Sequence, residues 1–143
     1  MFMGIDVGTS AVKALLMDET SAIVAEADIA LSLSNPHPYW SEQNPDDWWD
    51  AARQAIDLIM AKNATALSKV RAIGLSGQMH GAVVLGADDT PLRPAILWND
   101  GRAKAECDAI EATLPGLALR AGVVAMPGMT APKIMWLRKH EPD

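Results

Sequence analysis

Three short apolar segments, joined by very short polar turns, occupy residues 2–31 and constrain the fold more than any other feature. Residues 2–7 and 11–17 are strand-like and are separated only by Gly8-Thr9-Ser10, which is the spacing of a β-hairpin. Residues 23–31 follow a second polar turn and alternate in polarity, as a half-buried antiparallel strand near a sheet edge does. The chain is therefore predicted to open with three consecutive antiparallel strands.

The remaining segments predict helices packed on a mixed sheet. A helix is predicted from Pro45 to about Lys62, because a proline and two acidic residues suit its first turn. Residues 32–44 show no period and hold two prolines, which predicts a loop. This order does not alternate strand and helix regularly, so a Rossmann sheet is not expected. Later predictions are strands at 70–76 and 82–85, a brief apolar run at 95–98, a helix at 102–114, an irregular stretch at 117–128, and a last helix capped by Thr130.

Composition excludes several classes of protein. Half of the 143 residues are apolar, which rules out a disordered or collagen-like chain, and the length accommodates one domain of ordinary size. The net charge of −6 argues against a nucleic-acid partner, because phosphate binding needs clustered Lys and Arg. No apolar run is long enough to span a membrane, so no membrane partner is expected. A single cysteine, Cys107, and a start without signal-peptide features predict a cytoplasmic protein.

The first motif with chemical potential is residues 6–10 (DVGTS). It places the carboxylate of Asp6 at the end of an apolar strand, beside a tight turn rich in backbone N–H and hydroxyl donors. Such a turn can approach phosphate oxygens because Gly8 has no side chain to block it, and Asp6 could hold Mg²⁺ through water. The alternative is an ordinary hairpin turn in which Asp6 bonds only to backbone amides. The residues alone leave both interpretations open.

A second motif, residues 74–81 (GLSGQMHG), has glycines on both sides of a Gln-Met-His segment. Glycines allow a small ligand to approach, His80 could form a hydrogen bond with a hydroxyl group, and Met79 could supply an apolar contact. The alternative is a tight connection between strands that carries a surface histidine. A metal site at His80 is not expected, because no second His or Cys stands at ligand spacing.

A third motif, residues 96–102 (ILWNDGR), sets Trp98 beside amide, carboxylate and guanidinium groups. A flat apolar ring with polar groups around it is typical of a sugar site. The alternative is that Trp98 fills the core while Asn99 and Asp100 form a turn with a helix cap.

Taken together and in order, these segments resemble the FGGY family of carbohydrate kinases over nearly the whole chain. Within that family, residues 77–81 together with 98–102 are similar to the xylulose kinases. Glycerol kinases carry a different, Arg-Glu-containing sequence where Gln78-Met79-His80 stands here. The segments that carry the resemblance are 4–10 (GIDVGTS), 40–43 (WSEQ), 48–49 (WW), 77–81 (GQMHG), 94–102 (PAILWNDGR), 130–133 (TAPK), Trp136 and 138–142 (RKHEP).

The resemblance implies an α/β fold with a mixed sheet, the ribonuclease-H-like domain of the actin and hexokinase type. It also implies a reaction, transfer of the γ-phosphoryl group of ATP to the 5-hydroxyl of D-xylulose, with Mg²⁺ as the metal. By resemblance, Asp6 orients Mg²⁺-ATP through water. The phosphates are expected to be approached by Gly8, Thr9, Ser10 and Lys13, and the sugar by Met79, His80, Trp98 and Asp100.

The resemblance also implies that more chain is needed for catalysis. Family members are several times longer than 143 residues and have two domains, and their general-base Asp and most of their nucleotide pocket are expected beyond Asp143. We therefore expect residues 1–143 to be an incomplete first domain, inactive alone, that self-associates through surface which the rest of a kinase would cover. The alternatives are a kinase of the same family for another sugar or polyol, and a non-catalytic binding module on the same fold.

Overall fold

The structure, a computed structural model, describes residues 1–142, which divide into two compact units. The first unit comprises Met1–Leu33 and Pro45–Gln78, and the second comprises Ser34–Asn44 and the residues from Met79 onwards. The single domain expected from the length stays a prediction. In chain order the elements are β1 (Phe2–Val7), β2 (Ala11–Met17), β3 (Ile23–Ala30), β4 (Glu42–Gln43), α1 (Pro45–Leu67), β5 (Ala72–Gly77), β6 (Ala95–Ile96), α2 (Lys104–Thr113), α3 (Leu117–Ala121) and α4 (Thr130–His140).

Asp143, which marks the end of the predicted partial domain, lies outside the described residues. The expectation that the general base and most of the nucleotide pocket follow Asp143 therefore stays a prediction. The structure bears on the residues before it, which include every side chain proposed for the phosphate and the sugar.

A four-stranded mixed sheet, in the order β3-β2-β1-β5, forms the basis of the first unit. The pairs β1–β2 and β2–β3 are antiparallel, which confirms the three predicted opening strands, and β3 lies at an edge as its alternation indicates. Strand β5 pairs with β1 in parallel, because the intervening α1 returns the chain to the same end of the sheet.

One face of this sheet is covered by α1. Along β2, Val12, Ala14 and Leu16 are buried while Lys13 between them is exposed, because successive side chains of a strand point to opposite faces. Small residues on the helix let it lie close to the sheet, where it packs mainly on β2 and β3. The buried residues of α1 are Ala51, Ala52, Ala55 and Ile59.

The helix α1 begins at Pro45, as predicted, with Asp46 and Asp47 in its first turn. The predicted end near Lys62 is confirmed for the first of two helical segments, since the backbone is non-helical at Asn63, where φ is −134°. A second helical segment continues α1 beyond this kink to Leu67. The sequence signal for an end therefore coincides with a local break in the helix.

The second unit contains a two-stranded antiparallel ladder, β4 with β6, and the packed helices α2 and α4. Strand β4 lies in a stretch predicted as a loop, because the sequence shows no period over a strand of two residues. The strand predicted at 82–85 is wrong: isolated bridges join Ala82 to Ile96 and Leu85 to Pro91. Of the described residues, none belongs to a helix that is both long and apolar enough to cross a membrane.

Two predictions near the end of the chain also need correction. The stretch 117–128 is not wholly irregular, since α3 occupies Leu117–Ala121 between two glycines in the left-handed conformation. Thr130 is the first residue of α4 rather than its cap, and Met129 stands at the cap position with extended backbone. The predicted helix itself is confirmed, and Pro132 lies in its first turn, where its missing N–H is not required.

Candidate functional site

In the first unit, Asp6 and Lys13 are brought together by the register of the sheet. The two residues face each other across the β1–β2 pair, and Asp28 of β3 faces Lys13 from its other side. All three are exposed and lie on the sheet face that α1 leaves uncovered, because β2 directs Lys13 away from the helix. Asp6 and Lys13 both line an open cavity of about 290 Å³ on this face. A carboxylate and an ammonium group are thus presented to the same space.

The turn that follows Asp6 is held by its own backbone. The N–H of Gly8 donates to the carbonyl of Ala11 at 3.0 Å, and the side-chain amide of Gln78 donates to the carbonyl of Gly8 at 3.3 Å. A Cβ at position 8 would lie 3.0 Å from the Ala11 carbonyl oxygen, so the turn has little room for a side chain. Gly8 therefore keeps the turn compact by lacking a side chain. Its N–H is already bonded to the Ala11 carbonyl.

Thr9 and Ser10 complete this turn. Thr9 is half-buried and Ser10 is exposed, and the carbonyl of Ser10 accepts the N–H of Leu31 at 2.9 Å. This bond fixes the turn against the segment that leaves β3. The two hydroxyl-bearing residues follow Asp6 within one short, anchored segment.

In the second unit, Asp100 lies in a buried ion-pair network. Its carboxylate accepts the backbone N–H of Ser41 at 2.7 Å and two N–H groups of the Arg102 guanidinium at 2.7 and 2.9 Å. The side chain of Asp100 has no exposed surface, and that of Arg102 has almost none. A direct contact between Asp100 and a sugar is not supported by this geometry, because both carboxylate oxygens are enclosed and engaged.

Arg102 is the centre of this network. It pairs with Glu42 at 2.7 Å in addition to Asp100, and its guanidinium carbon lies 3.6 Å from the ring centroid of Trp40 and 5.0 Å from that of Trp136. A planar, weakly hydrated cation is suited to such a position between aromatic rings. Glu42 also pairs with Arg93, which extends the network towards the surface.

The remaining predicted sugar-contacting residues are accessible. Met79, His80 and Trp98 are all exposed, so the alternative in which Trp98 fills the core is wrong. His80 has a φ of 59°, in the left-handed region that residues other than glycine seldom adopt. The surrounding structure therefore holds this turn in an unfavourable conformation.

Lys133 on α4 belongs to the segment 130–133 that carries the family resemblance, but it was not predicted as a site residue. Its side chain is completely buried, and its Nζ donates to the carbonyls of His80 and Gly128 at 2.7 Å each. Burial lowers the pKa of Lys133 to about 8, with a smaller opposing effect from the negative charge of Asp100. The sequence signal was a lysine at an inward position of a short helix, which by itself resembles a surface lysine.

Comparison with known protein families shows to which family this chain belongs. The sequence profile described as the FGGY family of carbohydrate kinases, N-terminal domain, matches residues 1–143. The chain belongs to the FGGY family of carbohydrate kinases. Its family resemblance, inferred above from residues 4–142, is therefore confirmed.

Individual FGGY kinases match over nearly the whole chain. Xylulose kinase of Escherichia coli K12 is 47% identical over 143 residues, which is 100% of this chain and 29% of that protein. Xylulose kinase of Klebsiella pneumoniae is 45% identical and matches 99% of this chain and 29% of its own length. The chain thus spans less than a third of these relatives.

Solved structures agree with the predicted fold. A "xyloylose kinase" from Brucella ovis superimposes with a TM-score of 0.94 at 47% identity, over 99% of this chain and 30% of that one. A xylulose kinase from Rhodospirillum rubrum gives a TM-score of 0.92 at 30% identity, over 98% of this chain and 29% of that one. The ribonuclease-H-like mixed α/β fold, present here as a partial domain of an FGGY kinase, is confirmed.

The first unit of this FGGY domain places the carboxylate of Asp6 beside the Gly8–Ser10 turn without surrounding it by a cage of further ligands from the described residues. Within residues 1–142, no group of three or more His, Cys, Asp or Glu side chains is arranged to hold a metal ion. Mg²⁺ usually keeps several waters and takes only one or two protein carboxylates, the rest of its ligands being substrate phosphates. An exposed Asp6 beside a tight turn fits that mode of binding.

Proposed function

We propose that this chain provides the phosphate turn and part of the sugar site of a xylulose kinase. The reaction is transfer of the γ-phosphoryl group of ATP to the 5-hydroxyl of D-xylulose. The observation that carries the proposal is the pairing of Asp6 and Lys13 on one cavity beside the Gly8–Ser10 turn, in a chain 47% identical to a xylulose kinase. The activity belongs to the full-length protein, meaning the complete product of the gene that encodes these residues.

On the phosphate side, charge neutralisation is the main task, because phosphoryl transfer passes through a loose and highly charged transition state. Lys13 lies on the same cavity as Asp6 and supplies a positive charge to phosphate oxygens. Thr9 and Ser10 offer hydroxyl groups from an anchored turn, while Gly8 keeps that turn compact. Asp6 would hold Mg²⁺ through water, and the bound ion would neutralise further phosphate charge.

On the sugar side, Met79, His80 and Trp98 are the proposed contacts. An exposed thioether and indole face offer apolar surface to the carbon skeleton, and the imidazole can form a hydrogen bond with a hydroxyl. Asp100 acts by holding Arg102 and the Ser41 backbone rather than by touching the sugar.

We propose that a polypeptide of residues 1–143 alone does not catalyse this reaction. In the reaction, the 5-oxygen forms a bond to the γ-phosphorus, the bond from that phosphorus to the bridging oxygen breaks, and a base accepts the hydroxyl proton. Asp100 is enclosed and ion-paired, and Asp6 stands at the phosphate turn. Neither Asp100 nor Asp6 is therefore proposed as that base, and we place the general base beyond Asp143, as the family resemblance implies.

A coupled assay of ADP release by the full-length protein tests this function. ATP with D-xylulose is expected to give turnover, whereas ATP alone, glycerol and L-ribulose are expected to give far less. A preference for glycerol or L-ribulose would assign another substrate, and binding of neither ATP nor sugar in calorimetry would favour a non-catalytic module. Measurable turnover by residues 1–143 would contradict the proposed inactivity.

We also propose a reducing, cytoplasmic environment. Cys107 is a free and buried thiol, and burial raises its pKa, so it stays protonated and unreactive. A free thiol of this kind persists where disulfides do not form.

Residues 1–143 made alone are expected to self-associate through β5. This strand lies at the edge of its sheet, and Ile73 and Leu75 are 58% and 80% exposed. An exposed apolar edge strand can pair with another chain. Sedimentation velocity should therefore show dimers or larger species, and Leu75→Lys should reduce them.

Leu119→Lys is the matched control for that experiment, because Leu119 is still more exposed but lies on the short helix α3. It should leave self-association unchanged. A compact monomer for the unmodified chain, or an equal effect of both substitutions, would contradict the proposal.

A further inference from the structure

The lysine buried in α4 has an unusual set of partners. The Nζ of Lys133 donates to two neutral partners, the backbone carbonyl oxygens of His80 and Gly128, at 2.7 Å each, and the negative charge of Asp100 offsets only part of the effect of its burial. A buried ammonium group without a paired anion is unfavourable, because it gives up its hydration. The position is therefore a poor source of stability and needs another explanation.

The first of the two carbonyls belongs to the turn that carries the proposed sugar contacts. His80 has left-handed backbone, and a residue with a Cβ adopts that conformation only when its surroundings hold it there. The hydrogen bond from Lys133 to the His80 carbonyl restrains the peptide unit that follows the imidazole. It thereby limits the directions in which the His80 side chain can point.

The second carbonyl connects to Trp98. Gly128 packs so closely on the Trp98 backbone that a Cβ at position 128 would lie 2.3 Å from the Trp98 carbonyl oxygen. The carbonyl of Gly128 accepts the second hydrogen bond from Lys133. A single nitrogen therefore links the His80 turn directly, and the Trp98 segment through Gly128, to the same point of α4.

The chemistry of lysine suits this task. The side chain is long and thin enough to reach through a packed interior, and its nitrogen carries donors but no acceptor, as two carbonyl partners require. Even when it loses a proton, the amine keeps two N–H groups for its two partners. A guanidinium is wider and planar, and a methionine of similar length has no donor.

We propose that Lys133 is a positioning residue that fixes the spacing between His80 and Trp98 for the sugar. The proposal rests on the proposed function, in which both side chains contact D-xylulose. Lys133 itself is enclosed and does not touch the substrate.

The test compares Lys133→Met with Lys139→Met in the full-length protein. Lys139 lies on the same helix but is exposed, so the control makes the same chemical change without the two hydrogen bonds. Loss of hydrogen bonds to a charged donor should raise the KM for D-xylulose by about tenfold or more and leave the KM for ATP within about twofold. Backbone amide hydrogen exchange over residues 79–82, measured by mass spectrometry, should also become at least about tenfold faster in Lys133→Met alone.

Each result decides the proposal. Unchanged exchange over residues 79–82 overturns it, and so does faster exchange with an unchanged KM for D-xylulose, because Lys133 is then only structural. If the unmodified protein does not phosphorylate D-xylulose, the proposed function fails separately, and the exchange data still decide whether Lys133 holds the turn. Should Lys133→Met not fold, Lys133→Gln keeps an amide donor on a shorter side chain and is expected to lose one of the two bonds, with a smaller change in the same direction.

Discussion

Replacing Asp100 with alanine is expected to lower the free energy of unfolding by about 3–5 kcal/mol, because it leaves the buried guanidinium of Arg102 with too little negative charge around it. Asp100 supplies both of its carboxylate oxygens to Arg102 and also accepts the N–H of Ser41. Removing it leaves these donors unsatisfied in a place that water does not reach. The loss is large beside the total stability of an ordinary domain, about 5–15 kcal/mol.

Asp108→Ala is the matched control for this experiment. Asp108 also pairs with a basic residue, Lys104 at 2.5 Å, but both side chains are mostly exposed, so the pair is screened by water. The hydrogen bond from Lys104 raises the pKa of that lysine, yet the midpoint of chemical denaturation should hardly move when the pair is removed. Equal effects of Asp100→Ala and Asp108→Ala on the urea midpoint would contradict a structural role for the buried network.

Replacing Asp6 with asparagine is expected to lower kcat of the full-length protein by about a hundredfold or more, because the loss of one charge misplaces the phosphate end of ATP. Asparagine keeps the shape of the side chain and removes only its charge, so the sheet should remain intact. The KM for D-xylulose should change little, since Asp6 is proposed to act on the nucleotide. Steady-state kinetics with each substrate varied in turn measure both quantities.

Asp28→Asn controls for the loss of a negative charge beside Lys13. Asp28 faces Lys13 from the side of β3 and, like Asp6, is exposed, so both substitutions remove a negative charge next to Lys13. Asp28→Asn should keep kcat close to that of the unmodified protein. If both substitutions reduce kcat alike, the effect belongs to the charge balance around Lys13 and not to Asp6.

The opening strands could be predicted because their signal is local. Short turns between residues 2–7, 11–17 and 23–31 make neighbouring strands run antiparallel, and the alternation along 23–31 indicates a half-buried edge strand. The segment 82–85 is equally apolar, but a strand needs a partner of matching length, and β6 offers only two residues. A prediction from apolar character alone, without knowing the length of the partner strand, therefore assigns a strand where only isolated bridges form.

The closeness of Asp6 and Lys13 could also be predicted, since it follows from the hairpin register. A phosphate role for Lys13 is implied by the family resemblance and stays a prediction. The surroundings of Asp100 could not be predicted, because they depend on Ser41, which is distant in the chain. A carboxylate next to a tryptophan gives the same sequence motif whether it contacts a sugar or a buried arginine. Lys133 was missed for the same reason, as its burial and its partners are set by tertiary packing.

The hydrogen bond from Ser41 to Asp100 joins residues that are 59 positions apart, which has a consequence for the order of folding. The segment 34–44 cannot complete the second unit until the chain beyond Met79 has been synthesised and has returned to it. Residues 45–78, which include α1 and β5, separate the two parts of the second unit along the chain. Contacts between parts so far apart in sequence slow folding. During synthesis on the ribosome, Trp40 and Glu42 are therefore exposed to solvent until Arg102 has been made and packs against them.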